Sequence, residues 1–309
     1  MSTFDPIMSA HESTGVVIKA LLANLGIAAA KFAGAFVSGS AALLAEAIHS
    51  LVDCLNQVLL LVGSKAASRA PTARHPLGFG KESFFWSFLV AILLFSLGGV
   101  FAVSEGIHKI GDAETMSSPG LGLVVLGVGA LLEGFSFHAC LVEIRKQNPW
   151  GSLWAWFRKT TSADLLVVFT EDLAALIGLL IAATCIATAW ATGNPNWDAY
   201  GSILVGVLLI TVAIFLAIEI KSLIIGEAPS AELRPGIQSI LEAQIPGARI
   251  LNFIAIQTGA REVMVSYKIT PGALREVSEL IEAINRMERE VKIRFPQVKW
   301  QFVEPDHVS

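Results

Sequence analysis

The sequence predicts an integral membrane protein made of an all-α, six-helix transmembrane bundle and a small α+β domain. Three observations support this prediction. Apolar residues make up 54% of the 309 residues and charged residues only 16%, with a mean hydropathy of +0.63, which is far less charge than an average soluble domain carries. Six apolar runs are long enough to cross a bilayer of about 30 Å, which takes about 20 residues. Beyond the last run the composition becomes rich in charge.

The six predicted spans follow one another within residues 1–226, which we expect to form the transmembrane domain. They lie near 15–37, 41–63, 84–107, 119–142, 164–192 and 198–225. The even number places both chain ends on one side of the membrane. The opening MSTFDPIMSAHEST is polar and has no basic segment before an apolar core, so we expect no cleavable secretory signal and the first span to be retained.

Lys and Arg are concentrated in alternate connections between the spans. The basic residues after the second and fourth spans are Lys65, Arg69, Arg74, Lys81, Arg145, Lys146, Arg158 and Lys159. The opposite connections contain only Lys109. Because short cytoplasmic connections carry the excess of Lys and Arg, both termini are predicted to be cytoplasmic. Without a targeting segment, the favoured location is a bacterial inner membrane.

Residues 227–309 are predicted to form a cytoplasmic α+β domain. An amphipathic helix comes first, and alternation on both sides of TGAR predicts a β-hairpin. A second helix and a last strand complete an α-β-β-α-β, ferredoxin-like order of two layers. The second helix has its apolar stripe at Leu274, Val277, Leu280, Ile281, Ile284 and Met287. A domain of roughly 80 residues gains stability by pairing with a copy of itself, so we expect a homodimer.

The cysteines and the net charge exclude several classes of function. Cys54, Cys140 and Cys185 are isolated within predicted spans, which is typical of small buried apolar residues rather than of disulfides or thiolate metal sites. The net charge of −4 and the lack of a basic domain with interleaved aromatics argue against a nucleic-acid partner. We therefore expect no redox chemistry, no cofactor and no nucleic acid, and the lipid bilayer as the surroundings.

The second span contains ionisable residues in its stretch AEAIHSLVDCLNQ. His49 and Asp53 are spaced i and i+4, which places them on one helix face; Glu46 lies one turn earlier and Asn56 one turn later. An ionisable group within a membrane is costly unless it faces the protein interior or water, and by default it marks an ion or proton pathway. The spacing predicts half of a metal site, because zinc takes four ligands that include His nitrogen and carboxylate oxygen.

The fifth span can supply the other half of such a site. Glu171 and Asp172 lie about two turns into its apolar run, and Asp164 lies near its start. In the first span, Asn24 interrupts the apolar residues. Carboxylates of the second and fifth spans can therefore converge on one ion near the middle of the membrane.

Structural roles for these groups remain alternatives. His49 and Asp53 can form a hydrogen-bonded pair, Asp172 can be a counter-ion, and Glu171 can pair with a group on the adjoining face. Asp164 can be a solvated interfacial residue, and Asn24 can pack helices together. Asp198 can cap the sixth helix. The remaining polar groups can form an interhelical network, and the sequence assigns them no role: Glu46, Glu105, Glu133 and His138.

These motifs resemble the cation diffusion facilitator family of proton-coupled zinc transporters, including the branch of the animal mitochondrial member. The resemblance is carried by GSAALLAEAIHSLVDCLNQ in the second span, by RHPLGFGKESFFW before the third and by GNPNWDAYGSILVGVLL at the sixth, and it covers almost the whole chain. It implies His49, Asp53 and Asp172 as metal ligands, dimerisation through the cytoplasmic domain, and exchange of metal for protons.

Two departures from the family pattern change the expected ligand set. The usual fifth-span pattern is His-x-x-x-Asp, but Val168 stands at the His position, so Glu171 is the candidate fourth ligand. In the loop before the third span, His75 remains from a secondary metal site, whereas Phe79 stands where other members have a second His. The cytoplasmic domain is poor in ligand residues, and we expect no binuclear site there.

The expected function is therefore secondary active export of a divalent metal from the cytosol in exchange for protons, and Zn²⁺ is the favoured metal. Carboxylates gathered in an empty low-dielectric site repel one another and favour protonation, whereas a metal needs deprotonated ligands. One His with several carboxylates also suits Mn²⁺, Fe²⁺ or Co²⁺. A membrane metal sensor without transport is the alternative class. An enzyme is not expected, because a hydrolase would need a water-fed site and an electrophile stabiliser.

Overall fold

The computed structural model describes most of the chain, which folds into an α-helical part followed by an α+β part. The described residues are 21, 24–110, 117–147, 151–160, 163–229, 232–260, 262–274 and 276–307. By their contacts the described residues form two compact units. The membrane unit comprises those up to Val62 together with Ser87–Gly151 and Leu165–Ile218, and the C-terminal unit comprises Gly63–Trp86, Ser152–Asp164 and Glu219–Ser309.

Within the described residues, five helices are long and apolar enough to cross a membrane. They are α2 (Ala41–Ala67), α3 (Glu82–Lys109), α4 (Pro119–Gln147), α6 (Ala163–Thr192) and α7 (Asn196–Ile225). The helix α1 is described from Asn24 to Ser38, and most of the earlier residues of the first predicted span lie outside the described part. A short helix, α5 (Leu153–Lys159), precedes α6. Five of the predicted spans thus coincide with long apolar helices.

Small residues bring α3 and α7 close together. A Cβ atom on Gly99 would lie 2.5 Å from Cγ1 of Ile210, and one on Gly206 would lie 2.7 Å from the carbonyl oxygen of Gly99. The stretch Leu94–Val100 of α3 is a π-helix. Close packing through glycines is the usual way in which membrane helices associate, since the hydrophobic effect does not drive their association in lipid.

The N-terminus of α2 is capped by a residue of another helix. Asp198, in the first turn of α7, accepts hydrogen bonds from the backbone N–H groups of Ala41 (2.5 Å) and Ala42 (3.3 Å) and from Oγ of Ser40. The expectation that Asp198 caps the sixth span is therefore corrected. The carboxylate satisfies free amides at the positive end of α2, and Gly39, with φ of +70°, makes the turn before it.

The four helices α1, α2, α4 and α6 share an apolar cluster that packs them side by side. Its buried members are Ala35, Ala42, Leu43, Leu126, Leu179, Ala182 and Ile186. Alanines at several of these positions allow close helix approach, as is common between membrane helices. This packing brings polar residues of the same four helices to one place.

The C-terminal unit has the predicted α-β-β-α-β order. Its elements are α8 (Leu233–Gln244), β1 (Ile250–Gly259), β2 (Glu262–Ile269), α9 (Val277–Arg294) and β3 (Val298–Pro305). The sheet order is β1-β2-β3, with β1 antiparallel and β3 parallel to β2. The hairpin predicted around TGAR joins β1 and β2.

The apolar stripe of α9 differs from the predicted one. Ala283, Met287 and Val291 are the buried positions, and they pack on the alternate residues of β2 that form the core, including Val265. Val277 and Ile281 are 71% and 54% exposed, so their assignment to the stripe was wrong. Each helical residue rotates by about 100°, so apolar residues next to the stripe in sequence point away from it.

Candidate functional site

A small cavity of about 50 Å³ lies among the membrane helices α1, α2, α4 and α6. Its polar lining consists of the carboxyl groups of Asp53, Glu133, Glu171 and Asp172 and the neutral groups of Asn24, Ser50, Gln57 and Ser136. A single water needs about 10–15 Å³, so the cavity has room for a small ion with part of its hydration. Four acidic side chains around one intramembrane cavity mark it as the candidate cation site.

Helix α2 contributes a face of buried polar atoms. His49 is only 1% exposed, and its Nδ1 lies 3.7 Å from Oδ1 of Asp53, so the predicted i, i+4 neighbours do share a face. Both ring nitrogens of His49 and this Oδ1 are buried without a hydrogen-bond partner. Buried polar groups in native proteins are nearly always satisfied. A cation bound here would give these atoms the partner that the protein itself does not provide.

Helix α6 brings its two adjacent acids to the cavity by different contacts. Oε1 of Glu171 accepts a hydrogen bond of 2.5 Å from Nδ2 of Asn56 in α2. Oδ2 of Asp172 accepts one of 3.1 Å from Oγ of Ser136 in α4. Val168, one turn earlier, also lines the cavity. Both carboxyl groups are therefore held by neutral donors, and neither forms a salt bridge within the described residues.

The structure brings together some of the predicted site residues and separates others. Asp53, Glu171, Asp172 and Asn24 line the cavity, whereas His49 is buried one turn away on α2. No three His, Cys, Asp or Glu side chains among the described residues converge closely enough to hold a metal ion. The carboxylates surround the cavity without closing on one point.

One further predicted residue, His75, lies elsewhere, and another cannot be compared with the cavity. His75 belongs to the C-terminal unit, where it is exposed, its ring 4.6 Å from that of Phe79. It exchanges backbone hydrogen bonds with Thr72, of 3.0 and 3.1 Å, which is the arrangement of a loop-forming residue. The side chain of Asp164 lies outside the described residues, so its predicted role stays a prediction.

Sequence analysis missed Lys31, a fully buried residue of α1. Its Nζ donates a hydrogen bond of 2.7 Å to Oγ of Ser50 and lies 3.4 Å from Oε2 of Glu46 and 3.8 Å from Oε1 of Glu133. Of the four polar residues left unassigned, Glu46 and Glu133 therefore do belong to an interhelical network, with a lysine at its centre. The signal was a lone Lys in the apolar run NLGIAAAKFAGAFV, since a membrane-embedded cation requires an acidic partner.

The chain matches the profile of the cation efflux transmembrane domain over residues 17–225, which is more than half of its length. The chain belongs to the cation efflux family. This match confirms the resemblance inferred from the second, third and sixth spans. Members of this family are multi-pass membrane transporters and not enzymes, as the composition and the missing hydrolase constellation indicated.

Individual cation efflux proteins are also similar to this chain. Metal tolerance protein C4 of Arabidopsis thaliana is 36% identical over 224 residues, 71% of this chain and 48% of the relative. The mitochondrial proton-coupled zinc antiporter SLC30A9 of Xenopus laevis is 30% identical over 217 residues, 70% of this chain and 39% of the relative. The chain thus spans less than half the length of these relatives, and it resembles the animal mitochondrial branch.

Proposed function

We propose that this cation efflux protein is a secondary active transporter that exports a divalent transition metal from the cytosol in exchange for protons by alternating access. The favoured substrate is Zn²⁺. The observation that carries the proposal is the intramembrane cavity lined by four carboxyl groups. One similar protein is named a proton-coupled zinc antiporter and another a metal tolerance protein, which supports both halves of the exchange. Mn²⁺, Fe²⁺ and Co²⁺ are the alternative substrates, because carboxylates dominate the site.

The proposed ligands are His49, Asp53, Glu171 and Asp172. In this proposal Glu171 replaces the histidine that other family members have at the position of Val168. Two observations support it: Glu171 lines the cavity, and Asn56 orients its carboxylate. The metal draws these side chains together by rotamer changes, and Asn24 of α1 is a neutral oxygen donor on the cavity wall. Zinc requires about four such ligands.

Exchange of metal for protons follows from the chemistry of this ligand set. When no metal is present, neighbouring carboxylates in a site of low dielectric constant repel one another, which favours binding of protons. A divalent cation binds only to the deprotonated groups, so its arrival releases protons. Metal and protons therefore compete for the same oxygens. If the cavity opens alternately to the two sides, an inward proton gradient drives metal out.

The proposal includes six spans with both termini cytoplasmic and a homodimer formed through residues 227–309. The Lys and Arg distribution supports the orientation. For the dimer, Ile254 of β1 and Phe302 of β3 both pair with Ser266 of β2, so they share one sheet face. They are 49% and 52% exposed, and a second copy of the domain can cover these two apolar side chains.

The test is metal flux into proteoliposomes with an imposed pH gradient, for Zn²⁺, Mn²⁺, Fe²⁺ and Co²⁺ separately. The variants are wild type, Glu171→Gln and the matched control Glu279→Gln, which neutralises an exposed carboxylate in the first turn of α9. We expect gradient-dependent Zn²⁺ flux in the wild type and the control. In Glu171→Gln we expect a fall of about a hundredfold, since metal sites lose about 10–100-fold even when a supporting group is removed.

The other outcomes of this experiment are equally informative. Metal binding without flux in the wild type would contradict transport and would make the protein a membrane metal sensor. Full flux in Glu171→Gln would remove Glu171 from the ligand set and leave a water or Asn24 to complete it. Higher gradient-driven flux of Mn²⁺, Fe²⁺ or Co²⁺ than of Zn²⁺ would change the substrate but not the mechanism.

A further inference from the structure

The candidate metal cavity contains more acidic groups than a releasable divalent ion requires. Asp53, Glu133, Glu171 and Asp172 all line it, so four carboxyl groups face an ion of charge +2. Attraction between opposite charges is strong where the dielectric constant is low. A transporter must also release its ion, so a site on a transport path must bind the ion weakly enough for it to dissociate.

Lys31 supplies a fixed positive charge next to this cavity. It is a fully buried side chain in the described membrane helices, and the chain makes space for it on α4. A Cβ atom on Gly129 would lie 3.1 Å from Cε and 3.8 Å from Nζ of Lys31. A larger residue at position 129 would therefore crowd the side chain of Lys31.

The two acidic partners of Lys31 are placed differently. Glu46, at 3.4 Å, is fully buried and does not line the cavity. Glu133, at 3.8 Å, is 14% exposed and does line it. Ser50, also on the cavity wall, receives the hydrogen bond of 2.7 Å from Nζ. Glu46 thus anchors the ammonium away from the cavity, whereas Glu133 is a neighbour of the ammonium and also lines the cavity.

We propose that Lys31 is a tethered counter-cation of the metal cavity, which holds Glu133 as an ion-pair partner and thereby keeps the affinity for the transported metal low enough for release. This inference rests on the proposed transport function. Lys31 is a positioning residue, since it acts through Glu133 rather than by touching the metal. The competing explanation is purely structural: Lys31 neutralises Glu46 so that the helices can pack.

A charge-balanced double variant separates these two roles. Lys31→Met with Glu46→Gln removes the anchoring pair while leaving no unpaired charge at position 46, and it releases Glu133 toward the cavity. The experiment measures Zn²⁺ dissociation constants of the full chain in detergent, by competition with a fluorescent zinc chelator. Lys65→Met, which removes an exposed lysine at the end of α2, is the control for loss of a positive charge.

The double variant is expected to bind Zn²⁺ about tenfold more tightly than wild type, because Glu133, no longer paired with the ammonium of Lys31, can attract the metal. Adding Glu133→Gln to it returns the affinity to near the wild-type value. Glu133→Gln alone, which keeps the pair of Lys31 with Glu46, weakens binding about tenfold, because the ammonium then faces the cavity without its partner. Lys65→Met leaves the affinity unchanged.

Wild-type affinity in the double variant, or in Glu133→Gln alone, would overturn the role of Lys31 and leave the structural explanation. If the double variant fails to fold, Lys31→Gln with Glu46→Gln removes the same two charges while keeping polar side chains beside Ser50. The same rise in Zn²⁺ affinity is expected there, and wild-type affinity in that variant would overturn the role of Lys31. Failure of the transport proposal is distinguishable: wild-type protein that binds Zn²⁺ but shows no flux contradicts transport, while the binding constants still test Lys31.

Discussion

The two units of this molecule differ in whether their charged side chains are buried or exposed. In the membrane unit, Lys31, Glu46 and Glu171 are buried. In the C-terminal unit, the described core is apolar, built around residues such as Met287 and Val265, and the ion pair of Lys268 with Asp306 lies on the surface. A buried charge costs several kcal/mol to desolvate, whereas an exposed pair changes stability by only about 0–1 kcal/mol.

The cost of burying a charge therefore separates functional from structural charges in this chain. The membrane unit retains charges in the place where they are most costly, next to a cavity that they line or support. The C-terminal unit keeps its charges where they cost little, so their positions carry little functional information. Substitutions should therefore affect transport in the first unit and stability in the second, and the following predictions test that division.

The largest effect is expected for Asp53→Asn. Removal of one proposed ligand charge should abolish gradient-driven Zn²⁺ flux, a loss of about a hundredfold or more, while the protein still folds, because the amide has the size of the carboxylate. The measurement is flux into proteoliposomes beside size-exclusion behaviour in detergent. Asp306→Asn, the same change in the other unit, should keep full flux. Equal flux in both variants would show that Asp53 is not a ligand of the transported metal.

Breaking the buried ion pair should have the next largest effect. Lys31→Met alone leaves Glu46 buried and unpaired, which costs about 3–5 kcal/mol, so thermal unfolding in detergent should occur at a clearly lower temperature. The double variant Lys31→Met with Glu46→Gln should recover most of this loss. If the single and double variants unfold at the same temperature, the ion pair contributes nothing to the packing of α1 against α2.

A cavity in the C-terminal core should lower stability without changing metal binding. Met287 of α9 is fully buried in this core, where its sulfur lies 3.9 Å from the hydroxyl oxygen of Tyr267. Met287→Ala should cost about 2–5 kcal/mol, visible as an earlier unfolding transition in the full chain. The Zn²⁺ dissociation constant in detergent should stay at the wild-type value. A changed constant would mean that the proposed division between the units is too strict.

The smallest effect is expected for the surface pair of the C-terminal unit. The hydrogen bond from Nζ of Lys268, 2.8 Å from Oδ2 of Asp306, lowers the pKa of Asp306 below its ordinary value of 3.8 and raises that of Lys268 above 10.5. The Asp306 contribution is therefore present above pH 3.8 and is lost as the pH falls through its lowered pKa.

Lys268 behaves in the opposite direction, because its contribution is present below pH 10.5 and is lost as the pH rises through its raised pKa. The test compares unfolding temperatures of wild type and Asp306→Asn from about pH 2 to about pH 8, in steps of about one pH unit. The two temperatures should differ slightly at neutral pH and converge in acid. A difference that persists unchanged at the lowest pH would show that the ion pair is not its cause.

Local patterns predicted much of this fold. The third span, expected at 84–107, is the helix Glu82–Lys109, and alternation around TGAR gave the β1–β2 hairpin. His49 and Asp53 share a helix face as their spacing required. These predictions succeeded because helix periodicity, strand alternation and apolar length depend on residues near one another in sequence.

The rest depended on which elements are neighbours. The partnership of Lys31 with Glu46 and Glu133 requires that α1 lie beside both α2 and α4, which no single helix pattern indicates. The cap that Asp198 provides for α2 arises for the same reason. Within the C-terminal unit, Ile281 looked like a core residue because several overlapping stripes fit α9, and only packing against the sheet selects one of them.

Proton release on metal binding tests the central claim most directly, that buried carboxylates of the membrane unit exchange protons for a divalent metal. Zn²⁺ would be added to weakly buffered wild-type protein and to Asp53→Asn in detergent, with a pH indicator counting protons. We expect release of about one or more protons for each Zn²⁺ bound by the wild type, and little binding or release by the variant. Binding of Zn²⁺ without proton release, or equal release by both proteins, would contradict it.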